Sequence, residues 1–438
     1  MPIILYINEV IKYFLVVRVI RNTKRKLVLK MNTAITKLWN KNFIMFAIGK
    51  ELSLGAKALL QFTLPLYILL ETGNPMLMGT ILATSALPSI FLTPIGGVIV
   101  DRFDKRKFLA VINFITAVTI IVYLGLMDVV GLISATFFLI LVLFIFGNLV
   151  SITTKASVPI LVPADALVKA NSFTFLLANF SSIGIPILGG FVLARFGLNP
   201  ILFISISCYL LATVINFLTH IPCTKQEMNS SLLVTIVNDL RDGIYFITKE
   251  KPEVGKVIFF VNMLFCVTLM PLMSIALPVL VTIYFESGEA MLGITRAIIV
   301  VGGIIGIILM GIGGKKAHIT KVRLLLLAAS LALIPTILAF MWSNDGMLTY
   351  IMLILTLFII NALSVMMSII CRSYFGEKSP QHMVGKVMAL NSALVILGFS
   401  IGEYLYGFLF NRFITSPEVA LLILVGLSGI IAFCAKIK

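Results

Sequence analysis

The chain has 438 residues, of which 60% are hydrophobic and 12% charged, with a mean hydropathy of +1.11 and a formal net charge of +16. So apolar a composition excludes a water-soluble globular domain and points to a polytopic, all-α membrane protein. The positive charge does not point to nucleic acid. Most Lys and Arg gather in the N-terminal tail, in alternate loops and at the C-terminus, whereas the intervening loops carry Glu71, Asp128, Glu286, Glu289, Asp345 and Glu418. That asymmetry predicts a multi-pass protein of the cell (cytoplasmic) membrane with both termini in the cytoplasm.

Residues 1–41 form a basic N-terminal extension. Its apolar stretch from Ile3 to Ile20 is broken by Glu9, Lys12 and Arg18, so it reads as a helix lying on the membrane surface. A signal peptide would carry its basic residues before the apolar region, and here they follow it. Met31 is an alternative start. Twelve spans are expected beyond this, in two sets of six. The first set covers roughly 43–70, 76–100, 107–127, 130–154, 168–195 and 199–221; the second covers 255–284, 290–313, 323–342, 347–371, 385–412 and 417–435. A polar loop at 222–254 separates them, giving an N-terminal bundle at 42–221 and a C-terminal bundle at 255–438.

An internal repeat supports two pseudo-symmetric six-helix bundles. Gly96-Gly97 and Arg106 recur as Gly313-Gly314 and Arg323, 217 residues later. At that same spacing Gly190-Phe191, Arg195-Phe196 and Pro200 recur as Gly407-Phe408, Arg412-Phe413 and Pro417. His318 stands where the first copy has Asp101.

Charges within spans are informative because each costs on the order of 2.5–3.5 kcal/mol at the bilayer centre unless it meets water or a partner. In the first span Lys50, Ser53, Lys57 and Gln61 fall on one helical face. That polar stripe is a candidate cavity lining, with Lys57 near its middle; the alternative is that Lys50 snorkels and Lys57 is an ion-pair partner. Arg296, two turns inside the eighth span, is a second candidate. Asn179, Asn262 and Asn361 lie deepest among the neutral amides and join the cavity set, although helix packing explains most such residues. Glu51 and Glu403 are candidates for proton coupling, since a carboxyl group alternating between buried and wet settings is what a proton carrier needs. For Glu403 the alternative is a permanent ion pair with Arg296 or Lys57.

The five cysteines have no C-x-x-C spacing and the histidines His220, His318 and His382 form no cluster, so no metal site and no cofactor are expected. Gly398-Phe399-Ser400-Ile401-Gly402 matches the hydrolase G-x-S-x-G pattern by letter, but it lies within a span and lacks a histidine partner. No nucleotide-binding motif is present. An enzyme is not expected.

The turn Gly96-Gly97-Val98-Ile99-Val100-Asp101-Arg102-Phe103-Asp104-Lys105-Arg106-Lys107, between the second and third spans, resembles the signature loop G-x-L-a-D-r-x-G-r-k of the major facilitator superfamily. Gly97, Asp101, Arg102, Lys105 and Arg106 fit it, with Asp104 in place of the second glycine. Pro186, Gly189 and Gly190 on the fifth span resemble the G-P-x-x-G-G motif of the superfamily's antiporters, in which a kink and small residues allow close packing against the other half. The opening Gly49-Lys50-Glu51-Leu52-Ser53-Leu54-Gly55 and the segment Pro159 to Asp165 are similar to the twelve-span branch of drug, macrolide and siderophore exporters.

The resemblance implies a secondary transporter that exports a small molecule by alternating access, with protons as the coupling ion, the Gly97–Arg106 turn as gate, the bilayer as setting and a monomer as the working unit. Two other readings remain open. One is an exporter or flippase of an anionic solute such as a siderophore or lysophospholipid, suggested by Lys57 and Arg296. The other is a non-transporting receptor on the same fold.

Overall fold

The computed structural model describes residues 40–163, 166–222, 240–313, 318–342 and 345–434; the N-terminal extension and residues 223–239 of the central loop lie outside this set. Every regular element in it is helical. In chain order the spans are Lys41–Thr72, a second made of Pro75–Ala86 and Pro88–Arg102, then Lys105–Val130, Leu132–Leu161, Leu167–Phe196 and Leu198–Leu218. The second set is Pro252–Tyr284, Gly288–Gly313, a ninth made of Thr320–Leu331 and Ile334–Trp342, then Gly346–Lys378, Gln381–Arg412 and Pro417–Cys434. Eleven of the described helices are long and apolar enough to cross a membrane, and the twelfth is a shorter apolar helix. At 18 residues it is about 27 Å long.

Local chemistry sets where the helices start and stop. Asn40 caps the first span by accepting from the Phe43 amide at 2.7 Å, and Gly73 ends it in the left-handed conformation with φ 60°. Asn74 caps the second span at the Leu77 amide, and Asp345 caps the tenth at the Met347 amide. Pro88 lacks an amide N–H, so the second span breaks at Leu87 instead of running unbroken over 76–100 as the sequence suggested. The seventh span widens into π-helical turns at Val257–Met263, Leu272–Ala276 and Val279–Tyr284, in part because Pro271 and Pro278 remove donors from its ladder. Part of the expected loop at 222–254 is helical: Phe246–Glu250 forms a π-turn and Pro252 already opens the seventh span.

The buried core joins Leu60, Leu64 and Ile68 of the first span to Ile140 and Leu143 of the fourth, and Ile258, Val261 and Leu272 of the seventh to Leu357 and Tyr406. The outward surface of the spans stays apolar, with Phe138, Phe203, Leu211, Val214 and Phe217 all more than half exposed. For a membrane protein that is the lipid-facing belt. The ends of the molecule differ. One, the basic end, carries Lys105, Lys107, Lys155, Lys169, Lys321 and Lys378; the opposite end carries Glu71, Asp128, Glu286, Glu289, Asp345 and Glu418.

Candidate functional site

Near the end opposite the basic one, two helix crossings join the halves: the fifth span with the eighth, and the second with the eleventh. Both are backbone against backbone. A Cβ placed on Gly293 would strike the Pro186 carbonyl oxygen, and one on Gly190 would strike that of Glu289 and lie 3.2 Å from the Gly293 Cα. In the other crossing a Cβ on Gly79 would stand 2.5 Å from the Glu403 carbonyl oxygen and 3.0 Å from the Gly407 Cα. Pro186 and Gly190 are separated from Glu403 and Gly407 by the same 217 residues. The spacing found in the sequence is therefore the spacing between two equivalent crossings, where only glycine lets the chains approach so closely.

The polar stripe of the first span does not share one wet face. Lys50 pairs with its neighbour Glu51 at 3.0 Å and reaches the Thr174 carbonyl oxygen on the fifth span. Glu51 also accepts from the Ser181 hydroxyl at 3.2 Å, so its partners are Lys50 and the fifth span. Ser53 is 2% exposed and donates to Asn113 Oδ1 on the third span at 2.7 Å. Lys57 lies in a notch on the fourth span: a Cβ on Gly147 would stand 2.6 Å from its Nζ, and its ammonium lies 5.9 Å from the centroid of Phe144. The amide nitrogen of Gln61 is buried without a hydrogen-bond partner.

Arg296 crosses between the halves. Its guanidinium lies 5.0 Å from the ring centroid of Phe62 on the first span, beside Gly189, whose absent side chain leaves room for Leu59, Phe62 and Thr63. Glu403 is 1% exposed, next to Ser274 of the seventh span, and its Oε2 has no hydrogen-bond partner. It forms no ion pair with Lys57 or Arg296, because Lys57 faces the fourth span and Arg296 the first, while Glu403 sits at the second crossing. Among the described residues no ion pair involves any of the three.

Of the amides, Asn361 donates to the Ile299 carbonyl oxygen at 2.8 Å and ties the tenth span to the eighth. Asn262 donates to Asn391 Oδ1 at 2.5 Å, tying the seventh to the eleventh. That bond borders a cavity of about 300 Å³ on the basic half of the molecule, between the seventh, tenth and eleventh spans, which Met270, Met367, Ser368 and Arg372 also line. Sequence reading passed over Arg372 and Ser368. Their signal was present: Asn361, Ser364, Ser368 and Arg372 are spaced 3, 4 and 4 residues apart, like Lys50, Ser53, Lys57 and Gln61.

At the turn between the second and third spans, Asp104 is not a substitute for a left-handed glycine. It adopts φ −60°, ψ 108° and caps the third span, accepting from the Arg106 and Lys107 amides at 3.0 and 3.4 Å. The Arg106 guanidinium lies 4.9 Å from the Phe217 ring centroid on the sixth span. The side chains of Asp101, Arg102 and Asn179, and the surroundings of Gly97, lie outside the described set.

Two repeated halves joined at glycine crossings near one end, with a polar-lined cavity towards the other, define a membrane carrier built on inverted or repeated bundles. Residues 47–403 match the Major Facilitator Superfamily, and the chain belongs to that superfamily. It is 24% identical over 385 residues to macrolide efflux protein A of Streptococcus pyogenes, across 85% of this chain and 90% of that protein. It is also 24% identical over 375 residues to the enterobactin exporter EntS of Escherichia coli O1:K1 / APEC, across 82% and 83% respectively. Among solved structures, the nucleoside transporter NupG matches 90% of this chain and 98% of its own length, with a TM-score of 0.71 at 15% identity. A bacterial homologue of the iron transporter ferroportin matches 91% and 99%, with a TM-score of 0.66 at 17% identity. These structures share the fold. The chain is thus a transporter of the superfamily and not an enzyme.

Proposed function

We propose that this transporter exports a small molecule from the cytoplasm across the cell membrane by alternating access, in exchange for protons. The observation that carries the reading is the pair of equivalent glycine crossings near one end with a polar cavity towards the other. By the positive-inside rule the basic end faces the cytoplasm, so the crossings close the outer side. The bundles at 42–221 and 255–438 rock about these contacts, and the central loop at 222–254 tethers them. The efflux activities named for the two relatives favour outward movement of a drug-like or siderophore-like cargo. The turn holding Gly97, Asp101, Arg102, Lys105 and Arg106 acts as the cytoplasmic gate, and the working unit is a monomer.

Glu403 couples the proton to the gate. Its carbonyl oxygen is the docking point for Gly79, and its carboxyl is buried, with Oε2 unpartnered, while that crossing is closed. Parting the crossing would bring it to water on the outer side. Glu51, already engaged by Lys50 and Ser181, is the secondary candidate.

The test is a screen of drug susceptibility and metabolite efflux in deletion and overexpression strains, followed by export of the compound found in proteoliposomes with an imposed pH gradient. The expected result is export that depends on the gradient in the parent chain and ignores it in Glu403→Gln. Export with the same gradient dependence in both proteins clears Glu403, and a compound that moves only inward ends the efflux reading.

A further inference from the structure

Among the described residues, the cavity between the seventh, tenth and eleventh spans is lined by one charged side chain, and it is a cation. Arg372 is exposed and lines the same cavity as Asn262 and Asn391, and among the described residues no carboxylate stands within ion-pair distance of it. The next acid on its helix, Glu377, belongs to a different surface, beside His318 and Tyr374. The neutral polar groups divide into two kinds. Ser364 and Ser392 donate backwards to the carbonyl oxygens of their own helices. Among the described residues the Ser368 hydroxyl and the amide N–H groups of Asn391 make no hydrogen bond. The free donors are therefore a guanidinium, a hydroxyl and a carboxamide, and the remaining wall, from Phe265 through Met270 and Met367 to Val395, is apolar.

The first half repeats the serine-to-basic spacing. Ser151 and Lys155 on the fourth span precede Ser368 and Arg372 by the same 217 residues, and Lys155 too is exposed. A basic residue four places after a serine, exposed in both bundles, therefore recurs at equivalent places of the repeat.

We infer that this cavity is a subsite for an anionic group on an amphipathic organic ligand, with Arg372 as its anchor and Ser368 and Asn391 as neutral donors. A planar guanidinium binds a carboxylate, sulfonate or phosphate through two parallel N–H bonds, and the methionine-lined wall accepts the apolar body. The inference rests on the export reading for the direction of movement, but the subsite itself can be measured without transport.

The experiment reads the potential and the occupancy of the cavity at a thiol placed in it. In Ser368→Cys, rates of modification by the anionic reagent sulfonatoethyl methanethiosulfonate and its cationic trimethylammonium counterpart are taken after subtracting those of the parent chain. The anionic-to-cationic rate ratio should exceed that of free mercaptoethanol by roughly fivefold or more. Arg372→Gln should return it to the free-thiol value, Arg372→Lys should retain it, and carboxyfluorescein should slow the anionic reagent where the cationic dye rhodamine 123 does not. A ratio at or below that of the free thiol, a ratio indifferent to Arg372→Gln, or a thiol that neither reagent reaches overturns the inference. Efflux of rhodamine 123 from proteoliposomes together with an inverted reagent preference would leave export standing and remove the subsite. A preference for the anionic reagent that depends on Arg372, in a protein that moves neither dye beyond empty vesicles, upholds the subsite and counts against export.

Discussion

The two halves of this molecule share a frame and differ in what they bury. At one register of the 217-residue repeat the first half has Lys57 on its first span, and the second half has Ser274 on its seventh. At another, the first half has Pro186 where the second has Glu403. The fourth span offers Phe144 and Gly147, closing a notch around the Lys57 ammonium. The tenth offers Asn361 and Ser364 at the equivalent places, and Ser364 lines a cavity. At these positions the first half thus holds a deep cation against apolar neighbours and the second a deep acid beside a serine, while Arg296, the second half's own cation, lies against Phe62 of the first. The backbone crossings that hinge the fold are kept in both copies, while the side chains that give it chemistry have diverged.

Breaking the frame should do more than altering either half's chemistry. Gly190→Val or Gly79→Val puts a side chain into a carbonyl oxygen of the facing helix. Overpacking of that kind costs about 1–3 kcal/mol, which shifts the equilibrium between closed and open crossings by roughly 5- to 150-fold. Paired spin labels on the outer ends of the fifth and eighth spans should show the longer distance gaining population in Gly190→Val. Gly184→Ala, where nothing lies within 4 Å, should leave the distances unchanged.

The contrast between Lys57 and its counterpart sharpens at Gly147. Gly147→Ala drives a methyl group into the lysine side chain and should lower thermal stability in detergent by a few degrees. Lys57→Ala should be close to neutral on its own, because no carboxylate loses its partner, and should restore Gly147→Ala nearly to the parent value. Additive losses in the double variant would mean that the two residues do not compete for one space.

The smallest effect tests the turn. Asp104→Ala removes the N-cap of the third span and should cost about 1 kcal/mol, whereas Asp104→Gly, the residue of the family pattern, should cost only a few tenths. Equal losses in unfolding measurements would show that the aspartate acts through its charge and not through the cap.

Much of this was legible before any coordinates. Twelve apolar stretches, the alternation of basic and acidic loops and the repeat at 217 residues are all properties of the chain read along its length, because a bilayer selects on segment length and loop charge. The candidate site was less so. Lys50, Ser53, Lys57 and Gln61 have the spacing of one helical face, yet the first three turn to the fifth, third and fourth spans, since long side chains follow the gaps between helices and not the helix face alone. Asn361 looked like cavity lining and is bonded to the Ile299 carbonyl oxygen. Ser368 and Arg372 had the same spacing and went unremarked because the arginine stands close to the end of its span, where a cation is commonplace.

By itself, then, the order of residues determined a helical membrane carrier with two repeated halves, since water and lipid act on each segment independently of its neighbours. Which glycines meet across the halves, which buried charges remain without a partner, and where a cavity stays open were decided only when the helices packed. Those outcomes depend on pairs of residues hundreds of positions apart, and no local pattern carries that information.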